Sequence, residues 1–278
     1  MRQITVAIII CLFCAEYACS AFEDKPGSPE EVYSGMAYCA NIFAGSKIAK
    51  NPAVCAFGQE WYIDAGHSEL FGLKELENKN LRVMMPFGEG FAAGFNFESF
   101  GSNLYREQTA GLSAAAMIDE NVSIGVRVKN NILKIRDYGS ASFYSVDAGV
   151  AARILQKVSA GFCAGNIIGQ AFSDDGEKPS KSFRAGIGID SNRVSILFVD
   201  VEKRLYEKRL NYYFGHHFQI GNTAVVGTGY LTNPVRCSAG VSLVFGRMAV
   251  SYAFITHPYL GLEHHFGVSY LLKKGFAK

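Results

Sequence analysis

The sequence predicts an all-β fold, namely a closed antiparallel transmembrane β-barrel of about 14 strands with a short N-terminal helix as a plug. Two observations lead to this prediction. From about Met84 to the C-terminus, apolar and polar residues alternate with a period of two, in short runs that end in turn residues. Hydrophobic residues make up 49% of the chain, yet no run reaches the roughly 20 apolar residues of a membrane-spanning helix. Any membrane-spanning segments are therefore expected to be strands.

Residues 1–21 have the pattern of a secretory signal peptide. A positively charged start precedes the apolar run Ile4 to Phe13, which is too short to span a bilayer, and small residues follow at Ala18–Ala21. Cleavage is expected at the end of this segment. A lipidated Cys19 is the alternative, but Glu16 stands where a lipoprotein signal has an aliphatic residue.

Residues 22–53 are expected to form a leader that contains one short helix and an Asn-Pro-Ala turn. Helix signals begin at Pro29, and Glu30 and Glu31 suit the positive end of the helix dipole. The predicted helix runs from Pro29 to Ala44, because apolar residues recur there at helical spacing: Val32, Met36, Cys39 and Phe43.

A helix of this length is marginal in water without packing, so it is expected to lie against the barrel. A plug or ligand-binding role is predicted for five leader residues: Val32, Met36, Phe43, Asn51 and Pro52.

Residues 54–278 are expected to form the barrel, from about fifteen candidate segments of which one early segment is not a separate strand. Short connections such as Asp119-Glu120 predict antiparallel neighbours. So many strands are expected to close on themselves, because an open sheet would leave exposed edges. The segments are residues 54–63, 67–76, 80–87, 90–100, 105–118, 121–135, 142–155, 157–168, 181–190, 193–202, 208–219, 222–231, 236–245, 247–255 and 260–271.

The two faces of the predicted strands indicate which side meets lipid. In Asn121–Ile135, aliphatic residues alternate with small or charged ones such as Ser123 and Lys129. A dry core would desolvate the charged face at several kcal/mol per charge, about the penalty measured for buried ions, whereas a polar lumen accommodates it. A soluble exported barrel is the alternative if the apolar face points inward. Candidate lumen or ligand-binding residues on the polar face are Arg127, Arg153 and Arg184.

One segment departs from the alternation. Val194–Val201 is apolar on both faces, which predicts that the N-terminal helix contacts this strand from inside.

Composition and motifs exclude several function classes. The formal net charge of +2 and the lack of a basic cluster give no basis for nucleic-acid binding. No Gly-x-Ser-x-Gly elbow or phosphate-binding loop is present, so no catalytic or cofactor residue is predicted. Each of the pairs His216-His217 and His264-His265 can place only one imidazole in the lumen, so structural histidines are favoured over a metal site.

Four cysteines lie outside the predicted signal peptide. Cys39 and Cys55 are close enough in sequence to pair, but four unpaired cysteines are favoured. Cys163 is predicted on the polar face of its strand and Cys237 on the apolar face, so no bond is expected between those two.

Three local sequences together resemble the PorV/PorQ-like and UPF0164 members of the FadL-like bacterial outer-membrane barrels. They are the small-residue stretch at residues 35–38 with its Asn51-Pro52-Ala53 turn, the strand Ser182–Gly188, and the closing hairpin with Val250–Phe254, His257–Gly261 and His264–Gly267. The resemblance covers roughly residues 33–271. His265 stands where the family often has Arg, and the chain ends without an aromatic strand terminus.

The resemblance implies a fourteen-stranded barrel in the bacterial outer membrane with a small N-terminal plug, and it leaves the function open. The leading hypothesis is passage of small hydrophobic molecules, as in FadL-like members. The alternative that it leaves open is an occluded barrel, serving as a type IX secretion-associated shuttle or as an interaction or structural protein. The expected partners are outer-membrane lipid, hydrophobic small molecules and, under the alternative, secretion-system proteins.

Overall fold

A computed structural model describes residues 21–22, 24–43, 50–88, 90–169, 179–192, 194–205 and 207–272. Fourteen strands form one closed antiparallel barrel, in which each strand pairs with its neighbours in sequence and β1 pairs with β14. The strands are β1 (Trp61–Glu69), β2 (Glu77–Phe87), β3 (Phe91–Gly101), β4 (Tyr105–Met117), β5 (Val122–Ile135), β6 (Gly139–Leu155), β7 (Val158–Gly169), β8 (Ser182–Ser191), β9 (Ser195–Arg204), β10 (Asn211–Ile220), β11 (Ala224–Leu231), β12 (Arg236–Phe245), β13 (Met248–His257) and β14 (Gly261–Leu272).

The predicted fold class is therefore confirmed. Closure joins Trp61 to Leu272 and Glu69 to His264, which leaves neither terminal strand with a free edge. Within the described ranges, no helix has the length and apolar character needed to cross a membrane.

The alternation of faces is also confirmed. On β5, Val126 and Val128 point outward and are 43% and 48% exposed, whereas Ser123 points inward and is completely buried. Cys163 is buried inside the barrel and Cys237 is exposed outside, as predicted. Large apolar side chains thus cover the outside, and polar side chains face the lumen.

The two ends of the barrel differ in the length of their connections. One end of the barrel carries the connections from β2 to β3 and from β12 to β13. All connections at this end have two to four residues, such as 156–157 and 118–121. At the opposite end the longer connections are 70–76 and 170–181. We call these the turn end and the loop end. Outer-membrane barrels have short turns on the periplasmic side and longer loops outside.

The N-terminal helix is much shorter than predicted. It is α1 (Pro29–Tyr33), capped by the Ser28 hydroxyl, and it does not continue to Ala44. Met36 N donates to Glu31 O at 2.9 Å, and Gly35 N donates to Val32 O at 3.0 Å. Gly35 and Met36 both have a φ of 60°. This is the Schellman arrangement that ends helices, so Cys39 and Phe43 are not on a common helical face with Val32.

The first two predicted strands are also wrong in their bounds. A 3₁₀ helix occupies Pro52–Phe57, and β1 then runs through the gap between the predicted segments 54–63 and 67–76. The Asn51 side chain accepts a hydrogen bond from Ala53 N at 3.1 Å. Together with proline at the first position, this cap favours a helical turn over a strand.

Candidate functional site

Residues 24–43 and 50–57 lie inside the barrel, and we call them the inner segment. Serine hydroxyls from three strands donate hydrogen bonds to its backbone: Ser238 to Val32 O at 2.6 Å, Ser159 to Ala40 O at 2.7 Å, and Ser123 to Ala53 O at 2.9 Å. Buried carbonyl groups need such partners, so these small polar side chains on the barrel wall hold the inner segment in the lumen.

Inward-facing glycines allow the inner segment to approach the wall closely. At several of them an added Cβ atom would overlap the inner segment. This explains why much of the lumenal face consists of the smallest residues. Examples are Gly125 under Pro52, Gly149 under Asn51, Gly161 under Cys39, Gly215 under Ser34 and Gly267 under Pro29.

Replacing Gly161 with alanine is expected to weaken the docking of the inner segment on the barrel wall. The expected cost in docking free energy is about 1–3 kcal/mol, the usual cost of overpacking. The new methyl group would overlap the carbonyl group of Cys39, which is backbone and cannot rotate away. Hydrogen exchange of residues 34–43 measures the effect. Gly94→Ala is the matched control, because the nearest atom to a Cβ there is 3.5 Å away. Equal protection of residues 34–43 in both variants would contradict the close fit.

Ion pairs fasten the start of the inner segment. Glu31 Oε1 lies 2.6 Å from Arg82 Nη1 of β2, and Lys25 Nζ lies 2.6 Å from Glu107 Oε2 of β4. Lys50 pairs with Asp24 and lies 3.8 Å from Glu31 Oε2. The inner segment is thus bound to the first strands of the barrel by ion pairs, in addition to the apolar packing of Cys55 and Ala56 against these strands.

Burial and neighbouring charges shift the pKa values of Glu31 and Lys50 in opposite directions. Burial disfavours the charged carboxylate of Glu31, but Arg82 and Lys50 outweigh burial and hold its pKa below the ordinary value of 4.5. Burial likewise disfavours the Lys50 ammonium, but Asp24 and Glu31 outweigh it and raise the pKa above 10.5. Both groups are therefore charged around neutral pH.

Arg184 of β8 is the central contact of the charged side. Its guanidinium group donates to Met36 O at 2.7 Å and to Glu202 Oε1 at 3.1 Å. It lies 4.1 Å from the ring centres of both Tyr38 and Tyr213, within the range of cation–π attraction. This side chain thus joins the inner segment to β8, β9 and β10.

The other two predicted arginines differ from each other. Arg127 donates to Lys50 O at 2.7 Å and to Asp147 Oδ2 at 3.0 Å, so it contacts the inner segment in the lumen. Arg153 is exposed at the end of β6, with its guanidinium 5.6 Å from the ring centre of Phe57. The structure therefore brings Arg127 and Arg184 to the inner segment's charged side, and places Arg153 apart from them.

An apolar cluster lies beside Arg184, on the side of the lumen formed by β9 to β13. Val32 and Met36 of the inner segment pack against a cluster from β9, β10, β11 and β13. Phe198 of the doubly apolar segment 194–201 belongs to this cluster, but the strands that pack directly on α1 are β10 to β14, so a contact between the helix itself and this segment stays a prediction. We call the barrel side of the cluster the apolar wall, namely Phe198, Tyr213, Leu231, Ala253 and Ile255.

The remaining predicted leader residues lie between these two sides. Asn51 Nδ2 donates to Cys39 O at 2.7 Å and to Val150 O at 3.3 Å, so it links two parts of the inner segment to β6. Pro52 begins the 3₁₀ helix, and Phe43 packs beside Ala151. A ligand role for these residues stays a prediction.

A narrow cavity of about 20 Å³ lies on the charged side, with room for about one water molecule. Its polar lining includes Lys50, Arg82, Glu98 and Arg127. By contrast, the apolar wall is covered by Val32 and Met36, and its members are at most 8% exposed. A hydrophobic molecule would therefore reach the apolar wall only by replacing the inner segment there.

The histidines behave as the alternation predicts, with one ring of each pair inside. His217 is buried beside the Ser34 hydroxyl at 2.7 Å, and His265 is buried on β14. His216 and His264 lie on the outer face and bond to Ser195 and Tyr252. In the described parts of the chain, no group of three or more His, Cys, Asp or Glu residues is arranged to hold a metal ion.

Sequence reasoning missed several residues that fix the inner segment. The sequence pattern marks Glu31 only as a helix-start residue and gives no specific sign of a role for Arg82 or Asp200. Asp200 accepts hydrogen bonds from Tyr38 N and Cys39 N, both at 2.9 Å. Acidic residues on inward positions of a strand were the available signal, but their partners come from the leader.

No family model matches the sequence, and no curated protein matches it. Solved structures do match the fold. CymD, a monoaromatic hydrocarbon channel, has a TM-score of 0.66 and 12% identity, over 88% of this chain and 97% of CymD. The toluene transporter TodX of Pseudomonas putida has a TM-score of 0.64 and 8% identity, over 91% of this chain and 98% of TodX. A FadL homologue of Pseudomonas aeruginosa has a TM-score of 0.58 and 9% identity, over 90% of this chain and 99% of the homologue.

These similarities extend over almost the whole of each matched chain, at identities far below those that would carry function. The barrel of this protein is thus FadL-like in its fold.

Proposed function

We propose that this protein lies in the bacterial outer membrane and passes small hydrophobic molecules through its lumen. The outward belt of aliphatic residues on a closed barrel supports the location, because only lipid makes such an outer face favourable. The fold likeness to structures named as hydrocarbon channels and toluene transporters supports the cargo class.

The apolar wall is the observation that carries the proposal. In a lumen where charged residues line β2, β5 and β8, these five side chains form an apolar patch that packs against Val32 and Met36. The wall extends from Phe198 on β9 to Leu231 at the loop end of β11. When Val32 and Met36 withdraw, it offers a hydrophobic molecule the contacts that they make. The inner segment then acts as the plug of the barrel.

Uptake of labelled toluene tests the proposal, in bacterial cells that lack a hydrophobic channel of their own. Expression of the wild-type barrel is expected to raise the uptake rate above that of cells without it. Ile255→Asp is expected to abolish the increase, because an apolar solute on the apolar wall would have to desolvate the new carboxylate, which is costly. The matched control Thr256→Asp adds the same charge on the outer face and is expected to keep wild-type uptake.

Heat-modifiable mobility on gels shows that each variant is folded in the membrane. A folded wild-type barrel that leaves toluene uptake at the background rate would refute hydrophobic passage. The secretion-associated alternative has no corresponding support among the compared structures, because those named above are described as channels, transporters or FadL homologues.

A further inference from the structure

The inner segment and the barrel wall each carry a cysteine at one contact point. The sulfur atoms of Cys39 and Cys163 lie 3.7 Å apart, within van der Waals contact. Cys39 belongs to the inner segment, and Cys163 points inward from β7. Cys55 packs in a separate cluster with Tyr62 and Met84, and Cys237 is exposed on the outer face. Cys39 and Cys163 are thus the pair that the fold brings together.

The backbone around Cys39 is fixed on several sides. Its N–H donates to Asp200 Oδ2 at 2.9 Å, and its carbonyl accepts from Asn51 Nδ2 at 2.7 Å. Gly161 and Gly186 on the wall leave space directly beside it. The thiol therefore meets Cys163 because the whole segment is docked, and the two sulfur atoms lie 3.7 Å apart in that position.

We propose that Cys39 and Cys163 form a disulfide bond that latches the inner segment to the barrel wall. The proposal rests on export of the chain, which is part of the proposed function, because disulfides persist in oxidising compartments. The latched form would keep the apolar wall covered. Reduction would free residues 34–43 to move.

The bond forms by exchange with a small-molecule or protein disulfide as the oxidant. Both thiols are buried when the segment is docked, and the hydrogen bond with Cys163 and then burial raise the pKa of Cys39 well above its ordinary value of 9.0. Exchange therefore occurs while the segment is displaced and Cys163 faces the lumen. The Cys163 thiolate attacks the donor disulfide and releases one thiol. The Cys39 thiolate then attacks the Cys163 sulfur, the new S–S bond forms, and the second donor thiol leaves with the remaining electrons and proton.

Peptide mapping of the exported protein tests the latch. The barrel is extracted in N-ethylmaleimide to trap free thiols and is digested with trypsin without reductant. Lys50 lies between Cys39 and Cys55, so the two cysteines fall on different peptides. The expected product joins the Cys39 peptide to the Cys163 peptide and is lost on reduction. Cys39→Ser and Cys163→Ser each abolish it, whereas Cys237→Ser on the outer face retains it.

Recovery of Cys39 and Cys163 as maleimide adducts from the folded, exported barrel would overturn the latch. A Cys39–Cys55 product would overturn it as well. The readout does not depend on solute uptake, so a cross-linked barrel without toluene uptake would refute hydrophobic passage and leave the latch standing.

If the latch controls opening, reductant raises bilayer conductance of the wild type and leaves that of Cys39→Ser unchanged. If wild-type conductance is the same with and without reductant, the disulfide does not control opening of the lumen.

Discussion

Replacing Arg184 with alanine is expected to lower the free energy of unfolding by about 3–5 kcal/mol, the range for breaking a buried ion pair from one side. The Arg184 side chain is 2% exposed, and its carboxylate neighbours Asp200 and Glu202 are 1% and 3% exposed. Without the guanidinium, both would be buried with less compensating charge. Equilibrium denaturant unfolding in lipid vesicles measures the loss.

Arg204→Ala is the matched control for this prediction. Arg204 Nε lies 3.1 Å from Glu202 Oε2, but its side chain is 22% exposed. Solvent screens such a pair, so the expected loss is under about 1 kcal/mol. Similar small losses for both arginines would contradict the central place of Arg184 between the inner segment and the wall.

Replacing Val126 with arginine is expected to destabilise the barrel by about 2–4 kcal/mol, the value for a cation at the bilayer midplane. Val126 points outward near the middle of the aliphatic stretch of β5 and is 43% exposed. Arginine at that depth would have to be held in hydrocarbon. Vesicle-based unfolding against the wild type gives the difference.

Ile154→Arg tests whether the penalty depends on depth. Ile154 also points outward, but it is the next-to-last residue of β6 at the turn end. Near the interface the expected cost is about 0–1 kcal/mol. If the two arginines destabilised the protein equally, the outward face would not be spanning a membrane.

The strands were predictable because their signal is local. A residue on β5 shows its face by its neighbours one and two positions away, so Val126 and Arg127 could be assigned without knowing their partners. The same reasoning placed Cys163 inside and Cys237 outside. It also singled out the doubly apolar segment Val194–Val201, whose Phe198 lies in the same buried cluster as Val32 and Met36 of the inner segment.

The structure of the leader was harder to predict, because it depends on contacts with barrel strands that are distant in sequence. Gly35 marked the end of α1, but the helical spacing of Met36 and Cys39 suggested continuation. Contacts such as Arg184 with Met36 join residues 148 positions apart. No local pattern encodes such a pair, since it exists only once the inner segment has threaded the barrel.

Ion conductance in planar bilayers tests the central claim most directly, namely that the inner segment closes the lumen of a membrane barrel. The comparison is between the wild type and a variant that lacks residues 29–44, both checked for folded barrel by heat-modifiable mobility. The wild type is expected to show little conductance, and the deletion variant stable open-channel steps, because α1 and its packing against the apolar wall are removed. An unchanged conductance in a folded deletion variant would show that the inner segment closes nothing.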